Sequence, residues 1–142
     1  MILALPTPQT LAALAPHRVI ECGAGEGTWL RIMRDAGIAA IGIDPFPGDG
    51  VLPGRHTDLH RYEGRDLLLV VWPPDQTDVA KWVEAWGGSR VAICGDPMRF
   101  NWPELNIEYE ERLTPGPKGG SLFQIGGRRP RPHRLGPQPD DG

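Results

Sequence analysis

Residues 18–29 read RVIECGAGEGTW: a short apolar run ends in an acid and a cysteine and leads into three glycines at alternate positions. A strand, a glycine-rich turn and a helix in this order form the generic nucleotide pocket of α/β proteins, where the ligand lies outside the carboxyl ends of the strands. The stretch therefore predicts a small-molecule site at the first strand-to-helix turn.

The spacing of the glycines separates two classes of cofactor. A dinucleotide site uses G-x-G-x-x-G and rests its pyrophosphate on the helix N-terminus. Residues 23–28 read GAGEGT instead, so Thr28 stands in the place of the third dinucleotide glycine. Glu26 would bring a carboxylate near such a diphosphate, and like charges at hydrogen-bonding distance are costly in a poorly solvated cleft. The turn therefore favours a cationic nucleoside without phosphate, such as S-adenosylmethionine.

The rest of the chain supplies the other strands of such a fold. Short continuous apolar runs are typical of strands buried on both faces of a parallel sheet, and they occur at residues 18–22, 39–44, 66–72 and 90–95. Segments with apolar residues at helical spacing separate the first two runs and the last two, and each segment ends at a glycine. Strand, helix and strand twice over predict an α/β fold with right-handed crossovers.

Three regions differ from this pattern. Residues 45–65 are too rich in glycine and proline for a full helix, so any strand there is short, with GRHTD (54–58) as the candidate. Residues 107–113 and 121–127 flank a Gly/Pro loop and predict an antiparallel hairpin. A short helix is predicted near residues 10–15, ahead of the first strand.

Composition divides the chain into a domain and a tail. The 142 residues are 39% hydrophobic, which suits one globular core, and we assign the domain to residues 1–127. Residues 128–142 are rich in proline and arginine without apolar periodicity and are predicted to be disordered. The formal net charge of −3 argues against a nucleic-acid partner. No apolar run approaches the length of a membrane span, about 18 residues or more.

The two cysteines indicate a reducing compartment. Cys22 and Cys94 each end or nearly end an apolar run, and in the predicted sheet one strand separates theirs. This separation places them roughly 9–10 Å apart, which is beyond the reach of a disulfide. Two free thiols are typical of the cytoplasm, which is the predicted location.

Two acidic residues complete the pattern around the glycine turn. Glu21 precedes the first glycine by two residues, and Asp44 ends the second predicted strand. With Gly23, Gly25 and Gly27 they resemble the first two motifs of class I (Rossmann-like) S-adenosylmethionine-dependent methyltransferases. Those motifs are an acid, any residue and G-x-G-x-G, followed by an acid at the end of the second strand.

The resemblance spans roughly residues 17–127 and implies a small, compact member of this family. It implies a mostly parallel Rossmann-like sheet with an antiparallel C-terminal hairpin, helices on both faces, and a reduced region around the third strand. Residues 67–96 are also similar to the fourth-strand, helix and fifth-strand segment of small methyltransferase-like proteins with a W-P-P element.

The cofactor S-adenosylmethionine can be assigned to particular residues. Glu21 is predicted to place its charge near the amino-acid end of the cofactor, and Asp44 to accept both ribose hydroxyls through its two carboxylate oxygens. The resemblance implies that Asp58 lies near the adenine amino group, with a turn or capping role as the alternative. The candidate cofactor-binding residues are Glu21, Cys22, Gly23, Ala24, Gly25, Gly27, Asp44, Pro45, Asp58 and Trp72.

The loop after the fourth strand, Trp72-Pro73-Pro74-Asp75, is predicted to contact the acceptor. It is superficially similar to the (D/N)-P-P-(Y/F/W) motif of methyltransferases that act on nucleobase amino groups. Trp72 replaces the hydrogen-bond acceptor of that motif and Asp75 replaces its aromatic residue, so methylation of DNA bases is not expected. Trp72 is predicted to form a wall of the pocket. The alternative is that Trp72 packs in the core and Asp75 is the N-cap of the next helix.

The leading hypothesis is a methyltransferase that transfers the methyl group of S-adenosylmethionine to a small-molecule acceptor. Methyl transfer chiefly requires that the nucleophile is aligned and water is excluded, and no catalytic base is assigned. The four histidines form no metal-binding pattern, and the oligomeric state is not predicted. A non-catalytic S-adenosylmethionine-binding module or partner subunit is the alternative. An NAD-dependent oxidoreductase conflicts with Glu26 and Thr28.

Overall fold

The computed structural model describes residues 4–114 and 120–129. The strands are β1 (Val19–Cys22), β2 (Ala40–Asp44), β3 (Leu52–Pro53), β4 (Leu67–Val71), β5 (Arg90–Gly95), β6 (Leu105–Leu113) and β7 (Ser121–Arg128). The helices are α1 (Pro8–Leu14), α2 (Thr28–Asp35) and α3 (Val79–Trp86), with a 3-10 helix at His56–Tyr62.

The described strands form one sheet in the order β3-β2-β1-β4-β5-β7-β6. Neighbours from β3 to β5 are parallel, and the pairs β5–β7 and β6–β7 are antiparallel. The chain runs outward from β1 to β2 and β3 and then returns to place β4 on the other side of β1. This reversal opens a crevice outside the carboxyl ends of β1 and β4, where ligands of open α/β sheets bind. The predicted mostly parallel sheet with an antiparallel C-terminal hairpin is confirmed.

Helices cover both faces of the sheet, also as predicted. On one face, α1 and α2 bury Leu14, Trp29, Leu30 and Met33 against the sheet. On the other face, the 3-10 helix and α3 bury Leu59, Val83 and Trp86. Since successive side chains of a strand point to opposite faces, Glu21 shares the α1/α2 face with Val19, whereas Cys22 shares the α3 face with Ile20.

The predicted strand at 54–58 is wrong. The third strand is Leu52–Pro53, and the 3-10 helix starts at His56. The backbone explains the change, because Gly54 N–H donates to the Asp44 carbonyl at 3.2 Å, at the end of the pairing. Asp58 then accepts the Arg55 N–H at 2.9 Å and starts a helical turn. No α-helix lies between β2 and β4, so the predicted reduction of this region is confirmed.

The other predicted elements agree closely with the structure. The four parallel strands predicted from apolar runs are found within one residue, while β6 begins two residues before its predicted start. The first helix is Pro8–Leu14 rather than residues 10–15. Cys22 and Cys94 are buried free thiols on β1 and β5, and β4 separates them.

The N-terminal segment is fixed to the far end of the sheet. Thr7 caps α1 in a reciprocal pair with Thr10, and both hydroxyls donate to the Glu111 carboxylate on β6, at 2.6 and 2.8 Å. The Ala4 carbonyl accepts the indole N–H of Trp29 at 2.9 Å. These bonds hold the segment over the α2 side of the crevice.

Two further predictions concern the ends of the chain and the membrane. β7 ends at Arg128, and residues 130–142 lie outside the described part, so the division into a domain (1–127) and a disordered tail (128–142) stays a prediction. Within the described ranges, no helix has both the length and the apolar character needed to span a bilayer.

Candidate functional site

The glycine turn after β1 needs its three alternating glycines. Gly23, Gly25 and Gly27 have φ angles of 77°, 57° and 83°, in the left-handed region that side chains with a Cβ rarely adopt. Gly23 and Ala24 donate their N–H groups to the Ile43 carbonyl of β2, at 2.9 and 3.0 Å. Gly27 is the N-cap of α2, so the turn passes from strand to helix within five residues.

The loop after β2 packs directly on this turn. The Asp44 carboxylate accepts the Gly25 N–H at 2.9 Å and the Phe46 N–H at 2.8 Å, one on each oxygen. Gly48 N–H donates to the Gly25 carbonyl at 3.0 Å. A Cβ at Gly48 would lie only 2.7 Å from the Cα of Glu26, so the two loops touch through backbone. Each carboxylate oxygen of Asp44 retains a second lone pair for a ligand hydroxyl.

A cavity of about 290 Å³ opens beside the turn, at the carboxyl ends of β1 and β4. Its lining residues are Ala4, Glu21, Gly23, Ala24, Gly25, Glu26, Thr28, Trp29, Val71 and Trp72. The cavity therefore brings together five of the predicted cofactor-binding residues, namely Glu21, Gly23, Ala24, Gly25 and Trp72. The other five, Cys22, Gly27, Asp44, Pro45 and Asp58, lie outside its lining.

Glu21 is the most unusual group in the cavity. Glu21 is only 3% exposed, and its Oε1 atom has no hydrogen-bond partner among the described residues. Burial, and then the charge of Asp44, raise the pKa of Glu21 to about 8. Glu21 therefore holds a proton at neutral pH, and in that state the negative charge of the cavity lining resides on the exposed Glu26.

The opposite side of the glycine turn is closed by two rings. A Cβ at Gly23 would lie 3.8 Å from the Trp82 indole of α3. The His56 ring stacks on Trp82 with centroids 5.6 Å apart and planes inclined by 9°. Asp58, in the same 3-10 helix as His56, accepts the Arg55 N–H and lies 3.9 Å from Arg61. Asp58 thus caps the 3-10 helix, and its position near the adenine of a cofactor stays a prediction.

Trp72 occupies the wall of the cavity opposite the glycine turn. Its φ angle of 43° is a left-handed conformation that costs a bulky residue about 1–3 kcal/mol. The backbone N–H donates to the Cys94 carbonyl at 2.8 Å, and the indole N–H donates to the Ser121 hydroxyl at 2.6 Å. The ring also meets Phe100 edge to face, at 5.8 Å between centroids. Trp72 thus packs on the core and lines the cavity at the same time.

The three residues after Trp72 are not part of the described cavity lining. Pro73 is buried, Pro74 is exposed, and exposed Asp75 lies 3.7 Å from Arg99. The alternative role of Asp75 as a helix cap is wrong, because the N-cap of α3 is Asp78, which accepts the Lys81 N–H at 3.1 Å. The Thr77 N–H and hydroxyl both bond to the Pro74 carbonyl, and this turn delays the start of the helix.

Five lining residues are absent from the predicted site: Ala4, Glu26, Thr28, Trp29 and Val71. Glu26 and Thr28 served only to exclude a dinucleotide. Trp29 and Val71 adjoin predicted site segments and belong to the apolar core pattern, so nothing in the sequence marks them separately. Ala4 reaches the cavity on a segment held by Trp29 and by Glu111, which is more than 100 positions away. A contact of that range leaves no local pattern.

Comparison with known proteins identifies the fold. No protein-family model and no curated protein matches the sequence. Among solved structures, a chain of the fibrillarin/Nop5p complex is similar with a TM-score of 0.56 and 15% identity, over 80% of this chain and 73% of that one. Magnesium protoporphyrin IX methyltransferase (ChlM) from Synechocystis, with bound S-adenosylmethionine, gives 0.54 and 13%, over 85% and 79%.

A third similar structure is Sp1610 of Streptococcus pneumoniae, provisionally assigned as a tRNA (m1A22) methyltransferase. Its TM-score is 0.52 at 11% identity, over 91% of this chain and 73% of that one. At these identities the comparisons show the fold alone. The chain has the Rossmann-like fold of class I methyltransferases.

Proposed function

We propose that the chain is an S-adenosylmethionine-dependent methyltransferase that holds the cofactor beside the glycine turn and transfers its methyl group to a small-molecule acceptor. The observation that carries this proposal is the buried carboxyl of Glu21, a residue of the cavity lining, with one oxygen that has no partner among the described residues. Buried polar atoms in native proteins nearly always have partners. An orphaned carboxyl oxygen at a cavity wall therefore points to a ligand that supplies a donor or a positive charge.

The charge of the lining fits a cation. Among the lining residues that the structure describes, Glu21 and Glu26 are the ionisable side chains, and none is a lysine, arginine or histidine. A dinucleotide would bring its diphosphate to the Glu26 carboxylate without a compensating cation, which is costly in a site partly shielded from water. S-adenosylmethionine brings an ammonium and a sulfonium, so its charge has the sign that this lining requires.

The predicted cofactor residues outside the cavity lining fit the rest of such a ligand. Asp44 ends β2 next to the turn and has lone pairs for ribose hydroxyls. Pro45 and Asp58 follow along the same edge of the sheet, towards β3, and Cys22 and Gly27 would take part through backbone. The cofactor supplies an activated methyl group, and the protein aligns the acceptor and excludes water.

We place the acceptor side of the site at Trp72, which lines the cavity, and at the loop to Asp75, which follows Trp72 but lies outside the lining. The whole cavity measures about 290 Å³ and would also hold part of the cofactor, so the space left suits a small acceptor group. Pro73 and Pro74 stiffen the loop that would border the acceptor, since proline fixes φ. The two buried free thiols fit a protein of the reducing cytoplasm, which completes the proposal.

Isothermal titration calorimetry with S-adenosylhomocysteine tests the proposal. We expect the wild-type protein to bind, and Glu21→Gln to bind about 100-fold more weakly because a buried charge pair is lost. Glu63→Gln is the matched control: it makes the same chemical change on an exposed residue remote from the cavity and should bind as the wild type does. Absence of any binding by the wild type would overturn the proposal.

A non-catalytic cofactor-binding module is the second candidate. It is favoured by one observation: in the described part of the cavity lining, only the carboxyl groups of Glu21 and Glu26 offer a proton acceptor for a nucleophile. Incubation with methyl-labelled S-adenosylmethionine and a panel of amine, phenol, thiol and carboxylate acceptors separates the two candidates. Binding without label transfer to any acceptor favours the module.

A further inference from the structure

The C-terminal hairpin reaches the cavity through one buried hydroxyl. Ser121, the first residue of β7, is fully buried and lies next to the carboxyl end of β5. Its hydroxyl accepts the indole N–H of Trp72 at 2.6 Å, across 49 positions of sequence. The Cys94 thiol on β5 also hydrogen-bonds with this hydroxyl. One side chain of the hairpin thus contacts the two parallel strands nearest to it.

Trp72 needs such a contact because its backbone is strained. A bulky residue keeps a left-handed φ angle only when its surroundings over-determine the conformation. Three contacts besides the Ser121 bond act on it: the backbone N–H bond to Cys94, the edge of Phe100, and the Arg99 guanidinium 5.7 Å from the ring centre. The bond to the Cys94 carbonyl restrains only the backbone. The contacts with Phe100 and Arg99 are not hydrogen bonds of the indole and do not by themselves fix its rotation. The Ser121 bond is the directional contact to the ring itself.

We propose that Ser121 is a positioning residue: by accepting the indole N–H it holds Trp72 in its strained conformation as the wall of the cavity. The inference rests on the proposed function, since it concerns the same ligand site. Ser121 itself is absent from the cavity lining and acts only through Trp72. The antiparallel hairpin, whose described residues are all absent from the lining, thereby influences ligand binding.

A double-mutant cycle on S-adenosylhomocysteine affinity tests this role. Ser121→Ala removes the acceptor, and Trp72→Phe keeps an aromatic ring but removes the donor. Each variant should bind about tenfold more weakly, the effect of losing one neutral hydrogen bond that fixes a wall. If Ser121 acts through the indole N–H, the double variant should lose about tenfold as well, rather than about 100-fold. Ser89→Ala, at an exposed serine remote from the cavity, is the matched control and should bind as the wild type does.

Nuclear magnetic resonance of the indole groups reports the bond without any ligand. The chain has five tryptophans, and the Nε1–H signal of Trp72 is the one that disappears in Trp72→Phe. In Ser121→Ala this signal should move upfield, because its hydrogen bond is lost, while the other indole signals keep their dispersion in a folded protein. Ser121→Cys, which keeps a weak acceptor, should give an intermediate shift and intermediate affinity.

The outcomes separate the two proposals. Wild-type binding with Ser121→Ala within twofold of it, or effects that multiply in the double variant, overturns the role of Ser121 alone. An indole signal that does not move in Ser121→Ala overturns it as well. A wild-type protein that binds no S-adenosylhomocysteine overturns the proposed function, and the positioning role falls with it.

Discussion

Glu21 in the cavity and Glu111 on β6 lie on the same face of the sheet, yet their surroundings are opposite. Three hydroxyls donate to Glu111, from Thr7, Thr10 and Tyr109, at 2.6, 2.8 and 2.7 Å. Glu21 is more deeply buried and has one oxygen without a partner among the described residues. A carboxylate whose lone pairs are used within the fold serves the fold, whereas one that is left unpaired at a cavity is available to a ligand.

The pKa values express the same contrast. Burial alone would raise the pKa of Glu111, but the hydroxyls of Thr7, Tyr109 and Thr10 together lower it below its ordinary value. Burial, with the charge of Asp44 in second place, raises the pKa of Glu21 to about 8. The first carboxyl is ionised throughout the neutral range, and the second is protonated until a cation approaches. The two groups therefore predict opposite responses to pH.

The largest expected effect is on the pH dependence of stability. The native state holds the Glu21 proton between pH about 4.5 and about 8, where the unfolded state has lost it. The stability that this proton contributes is complete below pH 4.5 and is lost as pH rises to 8, by at most about 1.4 kcal/mol per pH unit. Urea unfolding from pH 5 to 8 should show this fall in the wild type, and Glu21→Gln should reduce it.

Glu111→Gln is the counterpart in the same experiment. Because its native pKa is lowered, the stability from Glu111 is present above the unfolded value of about 4.5 and is lost as pH falls through the native value. Glu111→Gln should therefore flatten the curve on the acid side only. If the two variants flatten the same part of the curve, the contrast between the two carboxyls is wrong.

How much of this contrast can be predicted from the sequence depends on how far apart in the chain the contacting residues lie. Glu21 and the glycines were assigned because the acid, the turn and the helix are contiguous and the φ > 0 positions demand glycine. That Oε1 of Glu21 has no hydrogen-bond partner among the described residues depends on how the whole fold packs around it, and no pattern of residues in the sequence reveals it. Glu111 falls with Ile107 and Tyr109 at alternate positions of a predicted strand, and nothing local marks it further, since its donors Thr7 and Thr10 come from the other end of the chain.

The position of the third strand is also not predictable from the sequence, although the residues whose contacts determine it are close together in the chain. The glycines and prolines of residues 45–65 correctly exclude a full α-helix between β2 and β4, but they do not locate the strand. Only two residues pair there, Leu52 with Ile43 and Pro53 with Asp44. The backbone bond from Gly54 to Asp44, rather than any apolar run, decides where that pairing ends.

The second-largest expected effect concerns Glu111, the carboxyl that stabilises the fold. Glu111→Ala should lower the free energy of unfolding by about 2 kcal/mol at pH 7, because the fully buried Thr10 hydroxyl loses its acceptor and α1 loses its attachment to β6. Urea denaturation measures the loss. Glu104→Ala, whose side chain is 76% exposed, is the control and should change stability little. Equal losses in both variants would show that the Glu111 junction is an ordinary surface contact.

The smallest expected effect concerns Glu21, the carboxyl at the cavity. Ligand binding should release slightly less than one proton per bound molecule. If the ammonium group of the ligand pairs with Glu21, the carboxyl must ionise on binding, and at pH 7 it starts almost fully protonated because its pKa is about 8. Binding should therefore release close to one proton. Calorimetry with S-adenosylhomocysteine in phosphate and in Tris measures this release, since the two buffers take up protons with different enthalpies.

Two variants decide whether the proton comes from Glu21. Glu21→Gln cannot release it, and its binding enthalpy should be nearly the same in both buffers. Glu26→Gln alters the exposed carboxyl of the same cavity and should leave the release unchanged. Any proton from the ligand's own amino group is common to all three proteins and cancels in the difference. If the release persists in Glu21→Gln, Glu21 does not meet the positive charge of the ligand, and the contrast with Glu111 then reflects packing alone.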